Sequence, residues 1–323
     1  MGYGNYIVKR LLMLIPVFIG ISVAVFLLLK LAPGDPISAL IPPEARDPQT
    51  IAKTRERLGL DQPIYIQYLK WLANAAQGDL GQSYATRQPV TGMILARLWP
   101  TIQISIVAFV VALLIAIPLG IVSAVYKDQW PDHFGRIVAF LGVSIPSFWL
   151  GIMVILMFSL FWKGWFGSTL IPAGGYAPPR AGLWTWLRHV LPPGIVLGVG
   201  FSAITTRLTR SAMVEALNED YVRTANAKGR KRWGVILVHA LRNAMIPVIT
   251  IVGIQVGFLL NGAVVVEQVF QWPGIGRLLY KGVQTDDIPV IQGIVLFVAA
   301  VFVVMNLLVD LLYGYLDPRI KYD

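Results

Sequence analysis

Apolar residues along the chain fall in blocks of membrane-spanning length. A bilayer's hydrocarbon core takes about 20 mostly apolar residues per helix. Leu11 to Leu29 is such a block and holds no charged residue; Lys9 and Arg10 precede it and Lys30 follows. A cleaved signal peptide would have a shorter apolar core, about 7–15 residues, and a small-residue cleavage site. This block is longer and ends in Lys30, Leu31, Ala32, Pro33 and Gly34, which predicts an uncleaved anchor. A second block runs from Ile102 to Tyr126 after Trp99 and Pro100, and a third from Ile137 to Trp162, interrupted by Pro146. The fourth, Val190 to Thr206, starts at Pro192-Pro193 and carries Gly194, Gly198 and Gly200. The fifth, about Ala244 to Val266, contains Pro247, Gly253, Gln255, Gly257 and Asn261; the sixth, about Ile288 to Tyr313, carries Asn306 and Asp310. Lipid tolerates these prolines and glycines, because neighbouring helices re-satisfy the freed backbone groups. The pairs Gly194/Gly198 and Gly253/Gly257 have the spacing that lets helices approach closely, a spacing that chance also produces in membrane helices.

The pattern predicts an all-α membrane protein with six transmembrane helices. Six spans put both termini on one side, and Lys9, Arg10, Arg319 and Lys321 assign that side to the cytoplasm. Residues 31–100, 163–189 and 267–287 then lie outside, and 127–136 and 207–243 inside. The 207–243 stretch holds eight basic residues against Glu215, Glu219 and Asp220. Trp162, Trp165, Trp184 and Trp186 gather at the outer ends of the third and fourth spans, as an interfacial aromatic belt does.

Residues 31–100 carry helix signals of their own. Asp47-Pro48 reads as an N-cap followed by proline at the first helical position, and Gly59 as a stop. Pro63 opens a second helix in which Ile64, Tyr65, Tyr68, Leu69 and Leu72 recur at three- and four-residue steps, and Gly78 ends it. This is a small helical extracytoplasmic cap, packed on the membrane domain or docking an external partner. On the inner side, the stretch from about Glu215 to Ala227 contains good helix formers and Gly229 stops it. A short exposed helix suits insertion into a partner's groove.

Composition narrows the function classes. Of 323 residues, 56% are apolar and 14% charged, against about 45–50% and about 25% in a soluble domain. Mean hydropathy is +0.66. The chain has no cysteine, which excludes disulfides and thiolate chemistry, and His133, His189 and His239 share no metal-ligand spacing. The net charge of +10 follows loop topology and attraction to anionic membrane lipid, not nucleic acid. No G-x-x-x-x-G-K-[ST] loop is present, so ATP has no phosphate cradle here. The span interiors carry no carboxylate or histidine relay of the kind a proton-driven transporter uses. A self-sufficient secondary transporter remains the alternative of another class, although the two halves do not repeat.

Polar groups at membrane depth are functional candidates. Asp310 lies near the inner end of span six, and Arg207 and Arg210 at the inner end of span four. Asp310 is either paired with one of these arginines or solvated at the interface. Gln255 and Asn261 either line a path or bond between helices, the commoner use. Glu267 closes span five on the outer side as an interfacial residue.

The segments RLTRSAMVEALNEDYVRTANAKG (207–229) and VILVHALRNAMIPVIT (235–250) resemble the permease subunits of ATP-binding-cassette importers of the dipeptide/oligopeptide/nickel class. The resemblance covers almost the whole chain. It includes Leu31–Pro36 (LAPGDP), Leu58–Pro63 (LGLDQP), Gly78–Ser83 (GDLGQS), Ile145–Trp149 (IPSFW), Glu267–Arg277 (EQVFQWPGIGR) and Asn306–Asp310 (NLLVD) up to Asp317–Arg319 (DPR). It implies half of a translocation path, completed by a second homologous permease subunit. Two partner ATPases hold the ATP and Mg, and this chain binds no cofactor. An extracytoplasmic binding protein delivers the substrate. Di- or oligopeptides are the expected cargo; nickel chelate, glutathione, haem and oligosaccharide are the alternatives within the class. The resemblance assigns Asp220, Tyr221, Arg223, Thr224, Ala225, Ala227 and Gly229 to the coupling helix that meets an ATPase. The general pattern E-A-A followed by Gly is present here as Arg223, Thr224, Ala225 and Gly229, and its distal I-x-L-P as His239-x-Leu241-Arg242, a departure usual in the peptide class. The regions are then an N-terminus and first span (1–30), the cap (31–100) and a core transmembrane domain (101–323) with its coupling loop at about 207–243. The implied location is a bacterial or archaeal cytoplasmic (inner) membrane.

Overall fold

The computed structural model describes residues 3–31, 47–57 and 59–316; the side chains of Asn261 and Asp310, residues 32–36 and residues 317–319 lie outside what is described. All regular elements of any length among the described residues are helices, the only extended pairing being a single bridge between Gln82 and Pro89. Five of them are long and apolar enough to cross a membrane: Val90–Val125, Ser147–Phe166, Leu183–Asn218, Arg232–Gln255 and Ile288–Val309. Leu12–Leu27 adds a shorter apolar stretch inside a helix.

The chain divides into two compact units. One is built from Met1–Trp99 with Gly274–Leu307. It contains α1 (Tyr3–Leu31), α2 (Pro48–Arg57), α3 (Ile64–Ala76), the start of α4 (Val90–Val125), α10 (Ile275–Gln284) and most of α11 (Ile288–Leu316). The cap signals hold locally. Asp47 Oδ1 accepts the Thr50 N–H at 2.8 Å, and Gly59 and Gly78 sit at φ +66° and +84° after α2 and α3. α3 meets α1 through a Ser22–Tyr68 hydroxyl bond of 2.8 Å and through Phe26, which packs on Tyr68 and Trp71. Asp287, buried ahead of α11, accepts hydrogen bonds from the Ser83 hydroxyl and the Tyr84 N–H, which fastens the loop after α3.

The second unit is Pro100–Pro273 with Leu308–Ile320. It holds the rest of α4, then α5 (Trp130–Ser144), α6 (Ser147–Phe166, π-helical over Leu156–Phe161), α7 (Leu183–Asn218), α8 (Asp220–Ala227) and α9 (Leu241–Val269, entered through the π-helical turn Val235–Ala240). α7 is its centre. Gly194 and Gly198 let α4 come close: a Cβ on Gly194 would stand 2.4 Å from Val107 Cγ1, and one on Gly198 would stand 2.6 Å from the Ala108 carbonyl. This spacing is therefore used for packing. Gly253 does the same on α9, against Val309 at 2.7 Å.

Several span boundaries differ from those predicted. The expected third span, Ile137–Trp162, is two helices. Ile145 takes an extended conformation (φ −81°, ψ 120°), as a residue before proline is driven to do, and α6 restarts after Pro146. The membrane-length helix is Ser147–Phe166, and α5 is a separate amphipathic piece. The second span begins at Val90, not Ile102, because α4 runs through Pro100; the Pro100 carbonyl accepts the Trp272 indole N–H at 2.9 Å. The fourth span is the middle of α7, which runs through Pro192-Pro193 and on to Asn218, so Arg207 and Arg210 are helical and not in a loop.

Candidate functional site

The short helix α8 forms because the chain breaks and restarts within three residues. Glu219 is extended (φ −71°, ψ 150°) between the end of α7 and Asp220. The helix thus starts at Asp220, five residues later than the helix formers from Glu215 suggest, since α7 absorbs Glu215–Asn218. Asp220 in its first turn complements the positive end of the backbone dipole. Thr224 Oγ1 donates to the Asp220 carbonyl at 2.9 Å. Gly229 at φ +74° ends it, in the left-handed region that glycine enters without a Cβ penalty.

Two side chains anchor α8. Val222 is 3% exposed and Ala225 8%. They join a core with Ile121 and Ala124 of α4, Met213 and Ala216 of α7, and Val235, Ile236 and Val248 from the run into α9. Asp220, Tyr221, Arg223, Thr224, Ala227 and Gly229 face outward. Arg223 reaches Asp220 at 3.3 Å, with both side chains largely in solvent, and surface pairs of this kind contribute little. Of the seven residues assigned to coupling, then, Ala225 supports the helix from beneath and the other six make its outer surface.

Arg210 finds its partner on α5. It forks onto Asp132 with two hydrogen bonds of 2.7 Å, and Asp132 is fully buried. The Asp128 N–H adds a third bond at 2.9 Å, and Arg136 stands 3.6 Å away. Arg210's hydrogen bonds hold the Asp132 carboxyl down to about 2, against the cost of burial. Arg207 is exposed. Sequence reasoning missed Asp132. The available signal was a carboxylate directly after Trp130-Pro131, the first turn of a helix, in a chain with few carboxylates.

Thr205 Oγ1 lies 3.2 Å from Gln255 Oε1 and so links α7 to α9, the interhelical use expected of a membrane glutamine. Glu267 is not interfacial: it is wholly buried and accepts the Thr101 hydroxyl at 2.8 Å. Together with Trp272, which packs edge-on against Tyr176, it fixes the end of α9 to α4. Among the described residues no group of histidines and carboxylates is placed to hold a metal ion.

Comparison with known proteins identifies the family. Residues 116–322 match the family model "Binding-protein-dependent transport system inner membrane component", and residues 4–106 match the N-terminal model for the same systems. The glutathione transport system permease protein GsiC of Escherichia coli K12 is 44% identical over 318 residues, covering 98% of this chain and 99% of its own. GsiC of Salmonella paratyphi A is 43% identical over the same length. The inward-facing structure of the MetNI methionine ABC transporter shares the fold, with a TM-score of 0.53 and 14% identity over 70% of this chain and 96% of its own. The chain therefore belongs to the binding-protein-dependent inner membrane components, as a multi-pass permease subunit of a bacterial ABC importer that binds no cofactor and leaves ATP hydrolysis to partner subunits.

Proposed function

We propose that this chain forms half of the path by which glutathione or a closely similar short peptide enters the cell, with α8 as its coupling helix. The observation that carries the coupling role is the two-faced build of α8: Val222 and Ala225 are sunk in a core shared with α4, α7 and α9, while six polar or small residues stand clear of it. A push on such a helix moves the helices it is packed on, because a close-packed core transmits strain. Identity of 44% over 98% of the chain to glutathione permeases supports glutathione ahead of the di- or oligopeptides that the sequence motifs suggested. The apolar run Leu12–Leu27 in α1 makes the sixth span, and Lys9, Arg10, Arg319 and Lys321 assign both termini to the cytoplasm. A second homologous permease completes the path, two ATPases engage the coupling helices, and an external binding protein presents substrate.

The test is uptake into vesicles holding the complete importer and its binding protein. ATP-dependent accumulation of labelled glutathione, in excess of labelled dipeptides, is the expected result. Accumulation of dipeptides without glutathione overturns the substrate. Uphill transport by the purified chain alone overturns the subunit role.

A further inference from the structure

Within the first unit, a cavity of about 410 Å³ opens where the end of α1 meets α2, α3 and the start of α11. That volume falls in the range of small-ligand sites, about 300–1,000 Å³. Among the described residues, three charged side chains line it, Lys30 from α1, Lys70 from α3 and Glu56 from α2, together with the aromatic rings of Phe26, Trp71 and Tyr84. Lys70 is steadied by Gln62, whose Oε1 accepts its Nζ–H at 2.8 Å.

Two independent features argue for lipid head groups at this cavity. α3 has no buried residue, and its Ile64, Tyr65 and Leu69 are all at least half exposed. Tyr65 and Leu69 stand four residues apart, on one face. An amphipathic helix with such a face lies in the membrane interface. α1 carries an exposed apolar stripe at Val17, Gly20, Ala24 and Leu27, and Lys30 follows Leu27 at the next three-residue step. Lysine at the end of an apolar helix reaches for the head-group layer.

We propose that this cavity seats the phosphodiester head group of a glycerophospholipid. The phosphate sits between the Lys30 and Lys70 ammonium groups, and the acyl chains run down α1 over Leu27, Ala24 and Val17. Glu56, the negative charge among the described lining residues, favours an amine-bearing head group such as ethanolamine over glycerol. The ligand seals α1 to α3 from the lipid side. None of its lining residues belongs to α8.

The complete importer in nanodiscs, labelled with a photoactivatable phosphatidylethanolamine and mapped by peptide mass spectrometry, tests this. Labelling is expected on residues 24–30 and 69–74. Lys30→Gln with Lys70→Gln lowers it roughly tenfold, as loss of charge-assisted hydrogen bonds implies, whereas Lys30→Arg with Lys70→Arg keeps it. Glu56→Gln removes the preference for the ethanolamine probe over a phosphatidylglycerol probe. Equal labelling of wild type and the glutamine pair, or none at these residues, overturns the proposal. Water-soluble glycerophosphoethanolamine, added at the probe's concentration to wild type, leaves labelling intact if the ligand is a lipid. Complete competition means a soluble phosphodiester occupies the cavity and overturns the lipid assignment, and this arm stands even if the glutamine pair fails to assemble.

Discussion

Arg210 holds Asp132 in a two-pronged grip, Nε to Oδ1 and Nη2 to Oδ2, both at 2.7 Å, and so ties α7 to the first turn of α5. The planar guanidinium matches the carboxylate, and bonds of this type are about twice as strong as neutral ones. The grip lies two residues before Ala212 and three before Met213, which belong to the core beneath α8. Removing one partner leaves a buried charge without its counter-ion. Arg210→Met is therefore expected to cost about 3–5 kcal/mol. Asp132→Arg combined with Arg210→Asp should recover part of that loss. Melting of the detergent-solubilised complex measures both, and a double variant whose loss equals the sum of the two single losses refutes the pairing.

The same pair sets an acid limit. The Asp132 carboxyl is lowered from its ordinary 3.8 to about 2, chiefly by Arg210's hydrogen bonds. A carboxylate with a depressed folded-state pKa stabilises the fold above its unfolded value. That contribution is whole above about pH 4 and fades as the pH falls toward 2. The gap in melting temperature between wild type and Arg210→Met should be flat from pH 7 to pH 5 and should narrow below pH 4. A gap that widens in acid contradicts this account.

The long apolar stretches and the inner short helix were legible in the sequence, because span length and stop glycines are local properties, whereas α5 and α10 were not read as helices of their own. Gly59, Gly78 and Gly229 each carry the positive φ that their positions after a helix predict. Helix boundaries at prolines were not legible. Pro146 breaks its helix, while Pro100, Pro118, Pro192 and Pro193 are carried inside theirs. Which outcome follows depends on what meets the carbonyl four residues before each proline, which loses its helical donor, and the fold, not the local sequence, sets that. The polar partnerships were hidden for the same reason. Asp132 and Arg210 lie 78 residues apart, and Thr101 and Glu267 lie 166 apart. A carboxylate's own neighbours in sequence do not reveal a partner at that distance.

The outer and inner faces of α8 should separate in mutagenesis. Thr224→Trp or Ala227→Trp adds bulk where the helix faces outward, so the permease should keep its melting temperature while uptake and co-purification of the ATPases fall. Ala225→Asp drives a charge into a position 8% exposed, so it should lower the melting temperature before any question of coupling arises. Gly229→Val forces a β-branched residue to φ +74°, at a cost of about 1–2 kcal/mol. If Thr224→Trp and Ala227→Trp both leave ATPase binding and uptake unchanged, α8 is not the coupling helix.

The contact between α4 and α7 offers a graded test of close packing. A Cβ at Gly194 overlaps Val107, and one at Gly198 meets the Ala108 backbone, which has no rotamer to move. At Gly200, six residues beyond Gly194 on the same helix, a Cβ meets nothing within 4 Å. Overpacking a tight site costs about 1–3 kcal/mol. Gly198→Ala should therefore be the most damaging of the three alanine variants. Gly194→Ala should also destabilise, because Val107 Cβ would stand 2.9 Å away and moves only with its helix, and Gly200→Ala should be neutral or slightly stabilising, since alanine is the better helix former. Thermal melting of the three purified variants ranks them. If Gly200→Ala is as destabilising as Gly198→Ala, the close approach of these two helices is not what the glycines serve.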